Sequence, residues 1–122
     1  MTVYEAVGGE ETFVRLVDAF YAGVETDSIL RPMYPDDLGP PKRHLALFLM
    51  QYFGGPQTYV QERGHPRLRM RHLPFAITRA ARDAWVQHME AALDALALPA
   101  EQDAAMRRYF ADAATFMINN AG

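Results

Sequence analysis

Residues 50–75 read MQYFGGPQTYVQERGHPRLRMRHLPF, and this stretch decides how the chain can fold. It begins within an apolar helical pattern that ends at Gly54-Gly55-Pro56. The remainder, segment 57–75, is rich in arginine and histidine and has no clean helical period. Connections in helical bundles usually have about 2–8 residues, and longer loops often carry function. A plain helical bundle therefore does not account for this segment.

Four apolar stripes with helical spacing flank segment 57–75 on both sides. Their residues recur at i, i+3, i+4 and i+7, which places them on one face of a helix. The stripes consist of Phe13, Leu16, Val17, Phe20, Tyr21 and Val24; Leu45, Phe48, Leu49 and Tyr52; Trp85, Met89, Leu93 and Leu96; and Met106, Tyr109, Phe110, Ala113 and Met117. The sequence therefore predicts an all-α fold with four main helices.

Glycine and proline mark the ends of these helices. The first helix follows Gly8-Gly9, and the second begins at Pro40-Pro41 and ends at Gly54-Gly55-Pro56. The third begins near Thr78, a suitable N-cap, and ends before Pro99, which suits the first turn of the fourth. The chain is thus divided into helices at well-marked positions.

The connections between the helices are predicted to be irregular at residues 35–39 and 57–75, with a minor helical turn at residues 28–33. Residues 67–71 alternate arginine with apolar side chains, a pattern that taken alone suggests a short strand. No second strand pattern is present to pair with it, so its backbone groups would lack partners. We therefore predict a loop with one helical turn at this position.

Length and composition predict a single domain over residues 1–122, because half of the residues are hydrophobic and can form a core. The net charge of -3 gives no general attraction to nucleic acid or to an anionic membrane. The sequence has no cysteine, which excludes disulfides and thiolate metal sites. It has no secretory signal and no long apolar span, so we expect a soluble, cytoplasmic protein that binds neither nucleic acid nor membrane.

The basic residues of segment 57–75 have three interpretations from pattern alone. They can form a solvated face that pairs with the acidic remainder of the molecule, or they can contact phosphate or nucleic acid. Arginines, imidazoles and apolar side chains together also suit a ligand with an apolar body and an anionic edge. A lone histidine is more often structural than a ligand, so the pattern leaves these interpretations open.

Motifs in and around this segment resemble those of group II truncated haemoglobins. They are MQYFGGP at residues 50–56, Tyr59, GHPRLRMRHLPF at residues 64–75, FY at residues 20–21, RPMYP at residues 31–35 and RDAW at residues 82–85. The resemblance extends in order from about Tyr4 to the final helix. It implies a truncated globin, a two-over-two helical sandwich in which a long loop carries the proximal histidine.

By this resemblance, His72 is the proximal histidine that binds the iron of haem b. An imidazole offers one nitrogen to iron while its other nitrogen donates to a backbone carbonyl. His65 is expected to shape the loop before Pro66, and His88 is expected to be an exposed helix residue.

On the opposite side of the haem, Tyr21, Tyr34 and Trp85 match the polar aromatics that surround bound ligand in this family. Phenol and indole donors in a dry pocket stabilise a bound ligand and slow its release. Pro41 occupies about the place of the distal histidine of vertebrate globins. The polar stabilisation of ligand is therefore expected to come from the three aromatic residues.

Further haem contacts follow from the same resemblance. Arg71 and Tyr59 match contacts to the propionates, and either Arg43 or His44 is expected to add another, since the family often has arginine at the position of His44. Phe53 replaces a tryptophan common in the family, a change expected to alter packing. The remaining expected haem contacts are apolar: Leu45, Phe48, Leu49, Met70 and Phe75.

Three functions are compatible with these expectations. The first is a haem protein that reversibly binds oxygen and other small ligands, namely nitric oxide, carbon monoxide and sulfide, and releases them slowly. The second is an oxidoreductase, peroxidase-like or a nitric oxide dioxygenase, that needs an external reductase because the chain has no reductase domain of its own. The third is a helical interaction domain without cofactor. Monomer and homodimer are both compatible with the sequence.

Overall fold

The structure, a computed structural model, describes residues 1–121, which contain seven α-helices and one 3₁₀ turn, Arg31–Met33. The helices are α1 (Val3–Ala6), α2 (Glu10–Glu25), α3 (Gly39–Tyr52), α4 (Thr58–Arg63), α5 (Leu68–His72), α6 (Arg79–Leu96) and α7 (Ala100–Phe116). No strand occurs in residues 1–121, so the alternating residues 67–71 are mostly helical. Within the same range, no helix combines the length and hydrophobicity needed to cross a bilayer.

The four long helices begin where the sequence predicts, and α3 and α6 also end at the predicted positions. Gly9 precedes α2 with a φ of 73°, a backbone conformation that other residues rarely adopt. The hydroxyl of Thr78 accepts a hydrogen bond from the backbone N–H of Ala81 at 3.1 Å and so caps α6. Pro99 directly precedes α7, where its missing N–H costs no helical hydrogen bond.

The long helices form two pairs, α2 with α3 and α6 with α7, and the pairs join mainly through α2 against α6. The stripe residues of all four helices meet in one core. Its fully buried side chains include Phe13, Leu16, Phe20, Leu49, Met89, Leu93, Met106 and Phe110. Burial of these apolar side chains is the main favourable contribution to folding.

The sequence pattern gives no prediction for helix α1. The hydroxyl of Thr2 accepts from the backbone N–H of Glu5 at 3.1 Å, and the Glu5 carboxylate accepts from the Thr2 N–H at 3.0 Å. This reciprocal pair is a capping box. The backbone N–H of Tyr4 also donates to the carbonyl of Phe53 at 2.9 Å, so α1 covers the end of α3.

Segment 57–75 contains two short helices, α4 and α5, where the sequence predicts a loop with one helical turn. Gly64 and Arg67 lie between them in left-handed conformations, with φ of 75° and 46°. The Arg71 guanidinium donates to the carbonyls of Pro66 at 2.8 Å and Arg63 at 3.1 Å. These bonds close the turn between α4 and α5 and fix the start of α5 beside the core.

His88 is not the exposed helix residue that the sequence suggests. Its imidazole is half-buried, and Nε2 donates to the Asp27 carboxylate at 2.6 Å. Asp27 also accepts from the backbone N–H groups of Ile29 and Leu30. Gly23 leaves room for the imidazole, because a Cβ at this position would overlap its Nδ1. The pair therefore joins the end of α2 to the middle of α6.

We expect the stability contributed by this pair to depend on pH. The hydrogen bond from His88, followed by that from the Leu30 N–H, lowers the pKa of Asp27 below its ordinary value of 3.8. Because the folded-state pKa is the lower one, the contact stabilises the fold fully above pH 3.8. That stabilisation is lost as the pH falls through the folded-state pKa.

Urea unfolding of the wild type and of His88→Ala over a range of pH measures this effect. The variant should be less stable at neutral pH, and the difference in unfolding free energy should shrink in acid. Asp36→Asn removes an exposed carboxylate and serves as the control, with little change expected. A difference between wild type and His88→Ala that stays constant into acid would contradict the assignment.

Candidate functional site

A cavity of about 350 Å³ lies between the two helix pairs and segment 57–75. Small-molecule sites commonly have volumes of about 300–1,000 Å³. Most of the wall is apolar, and half of the lining residues come from α3, α6 and α7. Its polar groups include a lone imidazole on α5, an aromatic cluster between α2 and α6, and a cationic cluster that reaches the wall through His44 on α3 and Arg71 on α5.

The imidazole is that of His72, the last residue of α5. Its Nδ1 lies 2.6 Å from the carbonyl oxygen of Leu68, one helical turn earlier. Because a carbonyl can only accept, Nδ1 must carry the proton, and Nε2 then has a free lone pair. His72 lines the cavity and is half-buried. The backbone thus fixes both the tautomer and the ring orientation that a metal ligand requires.

Asn119 anchors the chain after His72, a role that the sequence pattern did not indicate. Its amide Nδ2 donates to the carbonyls of His72 at 3.3 Å and Phe75 at 3.0 Å. Its Oδ1 accepts from the backbone N–H of Ile77 at 2.9 Å, and its own N–H donates to the Ile77 carbonyl at 3.0 Å. One side chain therefore ties residues 72–77 to the end of α7.

The distal cluster consists of Tyr21, Tyr34 and Trp85, which line one wall of the cavity. The rings of Tyr21 and Tyr34 meet edge to face at 5.5 Å between centroids. Phe20 lies behind them and contacts both Tyr21 and Trp85, at 5.0 and 5.2 Å between ring centroids. The sequence separates these residues widely, and the 3₁₀ turn before Tyr34 together with α2 and α6 brings them together.

The Tyr34 hydroxyl is the centre of this cluster. The Tyr21 phenol and the Trp85 indole lie close enough to this hydroxyl to affect its pKa. Burial raises the pKa of Tyr34, and burial together with the neighbouring Tyr34 raises the pKa of Tyr21. Both phenols therefore stay protonated at neutral pH. The cluster presents O–H and N–H donors to a largely apolar cavity, where such donors bind a polar atom strongly.

The cationic cluster consists of His44, Arg63 and Arg71. Arg63 Nη1 donates to His44 Nε2 at 3.1 Å, since a guanidinium cannot accept. Burial lowers the pKa of His44, as do the charges of Arg63, Arg43 and Arg71. Arg63 Nε is buried and, within residues 1–121, has no hydrogen-bond partner. His44 and Arg71 line the cavity, and Arg63 contacts His44 from outside the lining, so an anionic group in the cavity would meet the Arg71 guanidinium directly.

Most of the residues singled out from the sequence lie around one cavity. Those that line it are Tyr21, Tyr34, His44, Leu45, Phe48, Leu49, Tyr59, Arg71, His72, Phe75 and Trp85, together with Pro41. The structure differs from the expectation at Arg43 and Met70. Arg43 is exposed and forms a two-point ion pair with Glu62 at 2.7 and 2.9 Å. Met70 is 54% exposed and lies outside the cavity.

Helix geometry explains both differences. Met70 is two residues before His72 on α5, so its side chain points away from the face that His72 and Leu68 share. Arg43 precedes His44 by one residue on α3 and is turned towards α4 instead of the cavity. Leu68 lines the cavity but was not among the predicted residues. It could have been predicted from its position one helical turn before His72, which places both on the same face of α5.

The residues present fit an iron porphyrin. Such a group supplies four nitrogen ligands to iron and needs an axial imidazole, apolar contacts for the ring and cations for its propionates. His72 offers the imidazole, the walls of α3 and α7 are apolar, and the cationic cluster contains an unsatisfied guanidinium N–H. Within residues 1–121, no three His, Asp or Glu side chains come together as a metal site of their own.

Comparison with known proteins gives an independent finding. A family model described as bacterial-like globin matches residues 2–119. The group 2 truncated hemoglobin YjbI of Bacillus subtilis (strain 168) is 48% identical over 98 residues, which are 80% of this chain and 74% of that protein.

Two solved structures extend the comparison to the fold. Hemoglobin from the thermophilic phototrophic bacterium Chloroflexus aurantiacus is 56% identical with a TM-score of 0.97, covering 98% of this chain and 99% of that one. The group II truncated hemoglobin from Bacillus anthracis is 42% identical with a TM-score of 0.97, covering 100% and 99%. These similarities confirm the two-over-two helical fold that the sequence predicts.

Proposed function

Because the chain belongs to the bacterial-like globin family and is a group II truncated haemoglobin, we propose that it holds haem b and reversibly binds oxygen and other small ligands. One observation carries the proposal. The His72 imidazole, with Nδ1 bound to the Leu68 carbonyl, lines the same apolar cavity as the hydrogen-bond donors of the distal cluster.

When bound, haem would supply an iron centre that takes oxygen, nitric oxide, carbon monoxide or sulfide. The chain's own residues would hold and shield it. His72 would bind the iron through Nε2, and the Leu68 carbonyl would increase the electron-donating character of that imidazole. Apolar side chains such as Leu45 and Phe48 exclude water from the ring. We propose that the whole chain acts as one globin domain in the cytoplasm.

The distal cluster controls ligand release in this proposal. With a polar ligand in the cavity, the hydroxyls of Tyr21 and Tyr34 and the indole of Trp85 can exchange their mutual contacts for contacts to it. Donors already directed into a low-dielectric space gain more from a partly charged ligand than they would in water. Slow release follows, which suits sensing, scavenging or redox chemistry.

The test is the optical spectrum of the purified protein after addition of haemin and desalting. A Soret band that remains with the protein, and that shifts when the reduced protein is exposed to carbon monoxide, supports the proposal. A colourless protein after desalting would leave the helical interaction domain without cofactor as the remaining function.

A second prediction concerns the propionates. Arg63→Gln should speed the loss of haem to an excess of apomyoglobin roughly tenfold, because it removes a charge-assisted contact from the cationic cluster. Arg43→Gln is the matched control, because Arg43 is exposed and paired with Glu62, and it should lose haem at about the wild-type rate. Equal rates for both variants would show that Arg63 does not hold a propionate.

An oxidoreductase, peroxidase-like or a nitric oxide dioxygenase, is the second candidate function. The observation that favours it is Tyr109, whose side chain lines both the cavity and a groove on the outer surface. An enzyme of this kind needs electrons from an external reductase, and a thin wall between the cavity and the surface gives them a short path.

A further inference from the structure

The groove mentioned above runs along the outer side of α7, between the end of α3 and residues 65–70. We call it the arginine groove. Its floor includes Tyr52 and Tyr109, whose ring centroids lie 4.0 Å apart. Met70 and Phe116 also line it and are 54% and 64% exposed. The molecule therefore presents a continuous apolar and aromatic surface to solvent here, which single scattered residues would not.

Three guanidinium groups, those of Arg67, Arg69 and Arg108, border this floor. Arg69 stacks over Phe116 at 5.5 Å from the ring centroid. None of the three forms an ion pair with a carboxylate in the part of the chain that the structure describes. Asp112 is the one acidic side chain that lines the groove. His65 also lines it and contributes an imidazole.

The charge of this surface contrasts with that of the whole chain. The groove is lined by three arginines, Arg67, Arg69 and Arg108, and by one aspartate, whereas the whole chain has 12 basic and 15 acidic residues and a net charge of -3. A positive surface on an acidic protein attracts an acidic partner and orients it during approach.

The arginine groove also lies against the cavity. Phe48, Leu68, Tyr109, Ala113 and Met117 line both, so one layer of side chains separates them. Electrons delivered at this surface would have to cross only that layer to reach a haem held in the cavity.

We propose that the arginine groove docks an acidic electron-transfer protein, a one-electron donor with a flavin or an iron–sulfur cluster. This inference rests on the second candidate function, that of a haem oxidoreductase. In the electron transfer, the donor would lose one electron and ferric iron would become ferrous, with no bond made or broken. Arginine, methionine and tyrosine on an apolar floor with a charged border have the composition of a protein interface.

A second copy of the chain fits the groove less well. In a symmetric dimer the same patch meets itself, so the three arginines would face their equivalents across the interface. Juxtaposed like charges oppose association. An anionic membrane is the other class of partner that arginine with exposed apolar residues can bind, and the experiment separates it from a protein.

The experiment measures binding of a reduced or oxidised acidic plant-type [2Fe–2S] ferredoxin to the haem-loaded protein by calorimetry at low ionic strength. Stopped-flow spectroscopy gives the rate at which reduced ferredoxin reduces the ferric protein. The test variant is Arg67→Glu with Arg108→Glu, on the two borders of the groove. The control is Arg15→Glu with Arg79→Glu, which has the same net charge but alters exposed residues outside both groove and cavity.

We expect the test variant to weaken ferredoxin binding and slow reduction by roughly tenfold or more, and the control to change both by less than about twofold. Both effects should fade with added salt. The Soret band and thermal unfolding of each variant show that haem binding and folding are intact. Loss of the Soret band in the wild type would instead refute the proposed function itself.

Three outcomes overturn the docking proposal while leaving haem binding in place. The first is a wild-type protein that does not bind ferredoxin. The second is an equal loss of ferredoxin binding in the test and control variants. The third is a wild-type protein that binds phosphatidylserine vesicles but not ferredoxin. The last of these would assign the arginine groove to a membrane surface.

Discussion

His72→Gly should produce a folded protein that loses haem on desalting, with an affinity lowered by more than about a hundredfold. The reason is that this imidazole is the one side chain placed to give iron a nitrogen from the wall of segment 57–75. Its Nδ1 is already bound to the Leu68 carbonyl, so Nε2 is directed and available. Adding imidazole to the buffer should restore a retained Soret band, because the glycine leaves space for a free ligand.

The control for this experiment is His65→Ala. His65 is exposed, and its Nδ1 accepts from the backbone N–H of Arg67 at 3.1 Å. We expect this variant to keep the wild-type spectrum. A His72→Gly protein with an unchanged spectrum, or a His65→Ala protein that alone loses haem, would assign the axial ligand to another residue.

The next largest effect is expected in the distal cluster. Tyr34→Phe and Trp85→Phe should each raise the oxygen dissociation rate by about tenfold to a hundredfold, because each removes a donor worth about 1.5–3 kcal/mol towards a charged acceptor. The double variant should release oxygen less quickly than the product of the single effects predicts. Tyr34 and Trp85 line the same wall of the cavity, and the effects of neighbouring residues in one network are not additive.

Tyr109→Phe is the matched control for the distal cluster. Tyr109 also lines the cavity, and burial raises its pKa to about 12. Its ring stacks with Tyr52 instead of meeting Tyr34, so its hydroxyl belongs to another wall. We expect its oxygen dissociation rate to stay within about twofold of the wild type. A similar acceleration in all three variants would point to a general loosening of the cavity and not to hydrogen bonding.

Long, periodic helices were predictable from the sequence, because an apolar stripe over several turns repeats the same signal. Helix α2 is an example, with Phe13, Leu16 and Phe20 all fully buried. Helices α1, α4 and α5 are too short to show a period. They depend on contacts such as the capping box of Thr2 with Glu5 and the bonds of Arg71 to distant carbonyls, which a pattern of polarity does not encode.

The residues of the candidate site were predictable mainly by resemblance, since composition alone left the role of segment 57–75 open. Contacts across long separations were not predictable. His88 reads as an exposed helix residue because Asp27 is 61 residues away. Asn119 was likewise missed, because it stands in no motif, although it holds the chain after His72. Arg63 belongs to the basic residues of segment 57–75, but its contact with His44 was not predicted.

The bonds of Asn119 have a consequence for the order in which the molecule matures. They join positions separated by 42 to 47 residues, and such contacts form late because a long loop must close first. On a ribosome, the axial imidazole emerges well before the residue that secures its loop. We therefore expect the loop that carries His72 to be held in place only after Asn119 has been synthesised and has packed against it.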